Sequence, residues 1–118
     1  MRRDSVAILV GDEPTRDLFA CWLRDGGGTV AVLDDGDDIL AALAAIDAGV
    51  VVTDRLYRIG AGQATLQEIR QRFPGIKVVV VPVRGYLDGD LERLAWVVGA
   101  DAVLSGPLSR KAVTQVLS

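Results

Sequence analysis

The chain has no histidine and a single cysteine, Cys21, among its 118 residues. Without histidine, the usual general base near neutral pH and the commonest metal ligand are both missing. One thiol excludes an internal disulfide and any multi-cysteine metal site. Together these absences remove most hydrolase and transition-metal chemistry, and an enzyme in the ordinary sense is not expected. No apolar run approaches the roughly 18 residues that a membrane span needs. The basic start Met1-Arg2-Arg3 leads into an apolar stretch that stops at Gly11-Asp12. That is too short for a signal-peptide core and lacks a small-residue cleavage site, so a cytoplasmic protein is expected. Neither sign of charge dominates: 13 Lys and Arg stand against 16 Asp and Glu, a net charge of −3 spread along the chain. Such a balance gives no electrostatic footprint for nucleic acid or an anionic membrane.

What is present reads as an ordinary globular domain, half apolar and one quarter charged. This length suits one core and is short for two, so residues 1–118 are read as a single domain. The hydrophobic pattern alternates between two periods. Val6–Val10 is a short continuous apolar run, the mark of a strand buried on both faces. Pro14 suits a first helical turn, and Leu18, Phe19, Trp22 and Leu23 recur at helical spacing up to Gly26-Gly27-Gly28. Cys21, on that helix, is expected to be a small buried or half-buried thiol. A strand follows at Thr29–Leu33, and the acidic cluster Asp34-Asp35-Gly36-Asp37-Asp38 supplies a turn and a cap for a helix over Ile39–Ile46. Val50–Thr53 is a third strand. Leu66, Ile69 and Phe73 mark a helix that Pro74-Gly75 ends, and Lys77–Val81 is a fourth strand. A helix over Asp88–Val98, a strand at Ala102–Leu104 and a helix over Pro107–Leu117 complete the pattern.

Five strand–helix units in unbroken alternation predict a five-stranded parallel sheet, doubly wound, with helices on both faces. In such sheets the functional crevice lies outside the carboxyl ends of the strands, at the switch in strand order. Asp12, Asp54 and Pro82 each follow a strand and should converge there. Two carboxylates in that crevice, in a chain without histidine, are the obvious place for chemistry.

The segment Ala7-Ile8-Leu9-Val10-Gly11-Asp12-Glu13-Pro14 resembles the opening of response-regulator receiver domains, an apolar strand followed by acids and Glu-Pro. The resemblance continues through the strand ending at Asp54, through Gly62 and an apolar fourth strand. It closes on Gly99-Ala100-Asp101-Ala102-Val103-Leu104-Ser105-Gly106-Pro107, where such domains read Gly-Ala-Asp and end in Lys-Pro. It covers essentially the whole chain and implies the flavodoxin-like (βα)5 fold of two-component signalling. The low Lys content, against much Ala, Gly, Val, Arg and Asp, suggests a GC-rich bacterial source.

The resemblance places Asp54 at the phospho-acceptor position. It places Asp12 as a direct Mg²⁺ ligand, with Asp54 itself and the backbone carbonyl of Leu56 as the others. It also exposes departures. Gly11 stands where a first acid belongs. Pro82 replaces a hydroxyl residue and lacks even an N–H. Gly106 replaces a lysine, and Val103 the aromatic residue that serves as a switch partner. Mg²⁺ keeps several waters and can be held by two or three protein oxygens, so these losses imply a weakened Mg²⁺ site rather than none. Glu13 adjoins the site but is expected to point towards the helix start.

The expected function is therefore an atypical or pseudo-receiver, a protein–protein interaction module in signal transduction. The resemblance implies contact through the helix over 88–98, the fifth strand and the last helix, with Arg93, Arg110 and Lys111 as polar contacts and a second copy as one conceivable partner. An outward-facing Trp96 would mark that surface. The alternatives are a slow phospho-acceptor at Asp54 in a phosphorelay and a small-molecule module with its crevice near Arg84. Arg55, Arg58 or Arg84 could instead lie against Asp54 as a permanent counter-ion. Gly106-Pro107 is a candidate cis peptide, since glycine before proline permits one.

Overall fold

A computed structural model describes residues 2–34, 38–54, 66–81, 93, 96, 99–104 and 109–115. Its strands are β1 (Arg2–Leu9), β2 (Thr29–Val32), β3 (Ala48–Thr53), β4 (Lys77–Val80) and β5 (Ala102–Val103). Helices α1 (Glu13–Asp25), α2 (Ile39–Ile46) and α3 (Leu66–Arg72) connect them, and a C-terminal helix spans Arg110–Thr114. Every pairing is parallel, in the order β2-β1-β3-β4-β5. Winding thus proceeds outward from β1 to β2, then returns past β1 to β3. The switch in strand order falls between β1 and β3.

The continuous apolar strands have their reason in two cores. Ala7, Leu9, Val51, Val78 and Val80 face one side with Ile39, Leu43 and Ile69 of α2 and α3. Val6, Ile8, Val50, Val52 and Val79 face the other with Phe19 and Leu23 of α1 and Val113 of the C-terminal helix. In the central strands, Val6–Leu9, Ala48–Thr53 and Val78–Val80 are therefore covered whichever way they point, at roughly 1.5–3 kcal/mol for a fully buried valine or isoleucine.

Local chemistry sets the helix ends. Asp12 caps α1, with Pro14 in its first turn. Beyond Asp25 the chain turns through Gly27 at φ +92°, a left-handed conformation that glycine adopts without steric cost. The Gly28 N–H then donates to the Leu23 carbonyl at 2.9 Å. Asp38 caps α2 through a bond from the Ala41 N–H, which is the role expected for that end of the acidic cluster. Residues 35–37 lie outside the described residues.

Three expectations need correction. β1 starts at Arg2 rather than Val6, because Arg2 pairs with Ala48 beyond a register shift. Polar side chains there hide a strand that backbone pairing makes. Cys21 is exposed, not buried. At 100° per residue it lies on the far side of α1 from Phe19 and Leu23. Leu18 is likewise 41% exposed, so the buried stripe is Thr15, Phe19 and Leu23, with Ala20 on its flank. Trp22 is half-buried against that core. Among residues 82–98, Arg93 and Trp96 are described; both are helical and exposed. Gly106-Pro107 lies outside the described residues.

Candidate functional site at the strand carboxyl ends

β1 delivers Gly11 and Asp12, and β3 delivers Asp54, to the two sides of the switch point. The fold thus brings together the two carboxylates that the sequence singled out. Gly11, which has no acid side chain to offer, contributes its backbone instead: its N–H donates to Asp54 Oδ2 at 3.0 Å. The other oxygen, Oδ1, is buried.

Asp54 therefore sits in a mixed environment. Burial pushes its carboxyl above the usual carboxylate range, and the Asp12 charge adds to the rise. Hydrogen bonds from the backbone of Gly11, Asp54 and Asp12 oppose it. Desolvation is the largest of these influences, and it disfavours the charged form.

Asp12 is differently engaged. Its Oδ2 accepts the Thr15 N–H at 3.3 Å and, in a short bond, the Thr15 hydroxyl. One carboxylate oxygen is thereby bonded twice within the first turn of α1. Thr15 is a site residue that the sequence reading missed. The signal was available: a hydroxyl residue three positions after a capping aspartate is placed to close a local bond.

Glu13 turns away, as expected. Its carboxylate pairs with Arg16 at 3.4 Å along α1 and is largely exposed. Among the described residues, no group of three or more Cys, Asp or Glu side chains is placed to hold a metal ion. Each of the two carboxylates has one oxygen already bonded to donors, Asp54 to the Gly11 N–H and Asp12 to Thr15. Leu56, Pro82 and Gly106 lie outside the described residues, as do Arg55, Arg58 and Arg84.

Val103 on β5 is half-buried and packs against the core beneath α2 and α3. A short β-branched side chain held this way has no aromatic lever to swing. At the other end of the sheet, Asp101 is fixed by a network that the sequence reading did not foresee. Its Oδ2 accepts the Val78 N–H at 2.7 Å and an ion pair from Arg70, which also donates to the Ile76 carbonyl at 3.3 Å. A groove of about 320 Å³ lies between α2 and α3, lined by Leu40, Glu68, Gln71 and Arg72, away from the two carboxylates.

No protein-family model matches the chain. It is 30% identical over 88 residues to the DNA-binding transcriptional regulator NtrC of Salmonella typhimurium, covering 75% of this chain and 19% of that protein. NtrX from Brucella abortus, in a crystal structure with ATP, superposes with TM-score 0.78 at 25% identity, covering 95% of this chain and 25% of that one. The chemotaxis protein CheY4 of Vibrio cholerae gives TM-score 0.74 at 16% identity, covering 96% and 94% of the two chains, a likeness of fold. The chain thus spans about a fifth of the curated relative and a quarter of NtrX, but nearly all of CheY4.

Proposed function

Taking as premise that this chain is a response-regulator receiver domain in signal transduction, we propose that it is an atypical one, working through protein contacts rather than a conventional phosphoryl switch. The observation that carries this reading is how the acidic pair is engaged. Asp54 Oδ2 is bonded to the Gly11 amide, and Asp12 Oδ2 is bonded to Thr15. A carboxylate attacks an anionic phosphoryl group slowly unless a cation offsets the repulsion, and little in this donor set recruits one. Pro82 and Gly106 in the sequence add neither the hydroxyl nor the ammonium that would hold phosphoryl oxygens. Each such missing contact removes on the order of 1.5–3 kcal/mol.

Partner contact falls to the surface of the segment carrying Arg93 and Trp96, together with the C-terminal helix. Trp96 is 49% exposed, and large aromatics and arginines carry much of the energy of protein interfaces. Lys111 is exposed there too, and Arg110 reaches across to Asp25 at 3.0 Å.

A second reading keeps Asp54 as a slow phospho-acceptor; the place of its carboxyl at the end of β3, beside Asp12, favours it. Backbone amide NMR with Mg²⁺, then with beryllofluoride as an acyl-phosphate mimic, separates the two. The proposal expects small shifts confined to Asp12 and Asp54. Shifts that spread to Val103 and Trp96 would replace it with the second reading.

A further inference from the structure

We propose that Thr15 is a positioning residue that holds Asp12 as a helix cap and so keeps its carboxylate from serving a divalent cation. The inference rests on the reading above and names the side chain that enforces it. A carboxylate offers about four lone-pair sites, two on each oxygen. Thr15 occupies both on Asp12 Oδ2, one with its N–H and one with its hydroxyl. The hydroxyl bond is the short one, whereas the amide bond, at 3.3 Å, is long. The hydroxyl is the half of that hold that a substitution can remove while the amide bond stays.

Burial makes that bond hard to give up. Thr15 is 8% exposed, so a hydroxyl released from Asp12 would have little water to turn to. A hard cation arriving at the crevice competes for the same lone pairs, or makes do with Oδ1. Neither chain neighbour of Asp12 compensates, because Gly11 lacks a side chain and Glu13 is drawn to Arg16. The weakened cation site thus has a second cause beyond the missing acid at position 11.

The test is a Mg²⁺ titration followed through the Gly11 and Asp54 amides in the wild type, Thr15→Val, Thr15→Ala and Thr15→Ser. Valine and alanine both delete the hydroxyl; valine keeps the branched shape, and alanine serves should valine disturb folding. Both should bind Mg²⁺ about five-fold more tightly, the fold-change of one hydrogen bond, while serine behaves as threonine does. Affinity that is unchanged without the hydroxyl overturns the proposal. Affinity that falls overturns it too, and would mean that Thr15 presents Asp12 to the cation. The functional reading fails by a separate observation, the spread of beryllofluoride shifts to Val103 and Trp96 in the wild type. The two failures are thus distinguishable.

Discussion

Asp54 is held by the Gly11 amide, yet its burial costs more than that bond returns. Its folded carboxyl titrates above its unfolded one, so the folded state keeps a proton that the unfolded chain has already lost. The stabilisation from that proton is fully present below the ordinary carboxylate range and is lost as pH rises through the raised value. Asp54→Asn, which cannot ionise and still offers an oxygen to Gly11, should therefore be more stable than the wild type at pH 7. The gain should vanish as pH falls below the ordinary carboxylate range, where both states hold the proton. Thermal unfolding of both proteins across that range checks it; a destabilised variant at neutral pH would show that the charge is favourably held. The sequence made Asp54 legible because an acid ending an apolar strand is conspicuous. It hid the role of Thr15, because a buried hydroxyl in a first turn looks like packing until its partner is located.

At the scale of elements, α1 is held mainly by one stripe. Among the described residues Phe19 is the largest fully buried side chain, and it packs with Leu23 against the strands and Val113. Phe19→Ala should cost about 3–5 kcal/mol, through lost transfer energy and the cavity left behind. Leu18→Ala, on the exposed flank, should cost well under 1 kcal/mol, close to a surface change. Comparable losses in urea unfolding would contradict the observed facing of the helix. The entry to β5 depends on a different kind of contact. Asp101→Ala strands the Val78 N–H and removes the partner of Arg70, for an expected loss of about 1–3 kcal/mol. Arg70→Met leaves the Asp101–Val78 bond intact, and for a partly exposed ion pair should cost under about 1 kcal/mol. Equal losses from the two variants would place the energy in the ion pair instead of the backbone bond. The spacing of apolar residues predicted α1 but not its rotation, because Leu18 and Trp22 satisfy a helical period as well as Thr15 does.

For the whole molecule, order in the sheet implies order in stability. β1, β3 and β4 each have a strand on either side, whereas β2 and the two-residue β5 form the edges. Hydrogen exchange should find the slowest amides in β1, β3 and β4, opening only with global unfolding, and the β5 amides exchanging by smaller openings. Protection of β5 equal to that of β3 would mean that the edge is covered. The sequence by itself determined the alternation of strands and helices, the parallel sheet and the convergence of Asp12 and Asp54. Apolar runs that must be buried on both faces leave few other arrangements. It also determined which side chains are missing at positions 11, 82 and 106, since a residue's chemistry does not depend on its placement. Only the tertiary structure decided that Gly11 offers its amide to Asp54, that Thr15 occupies Asp12, and that Arg70 meets Asp101. These contacts depend on distances of a few ångströms between segments, set by packing and register, which periodicity does not encode.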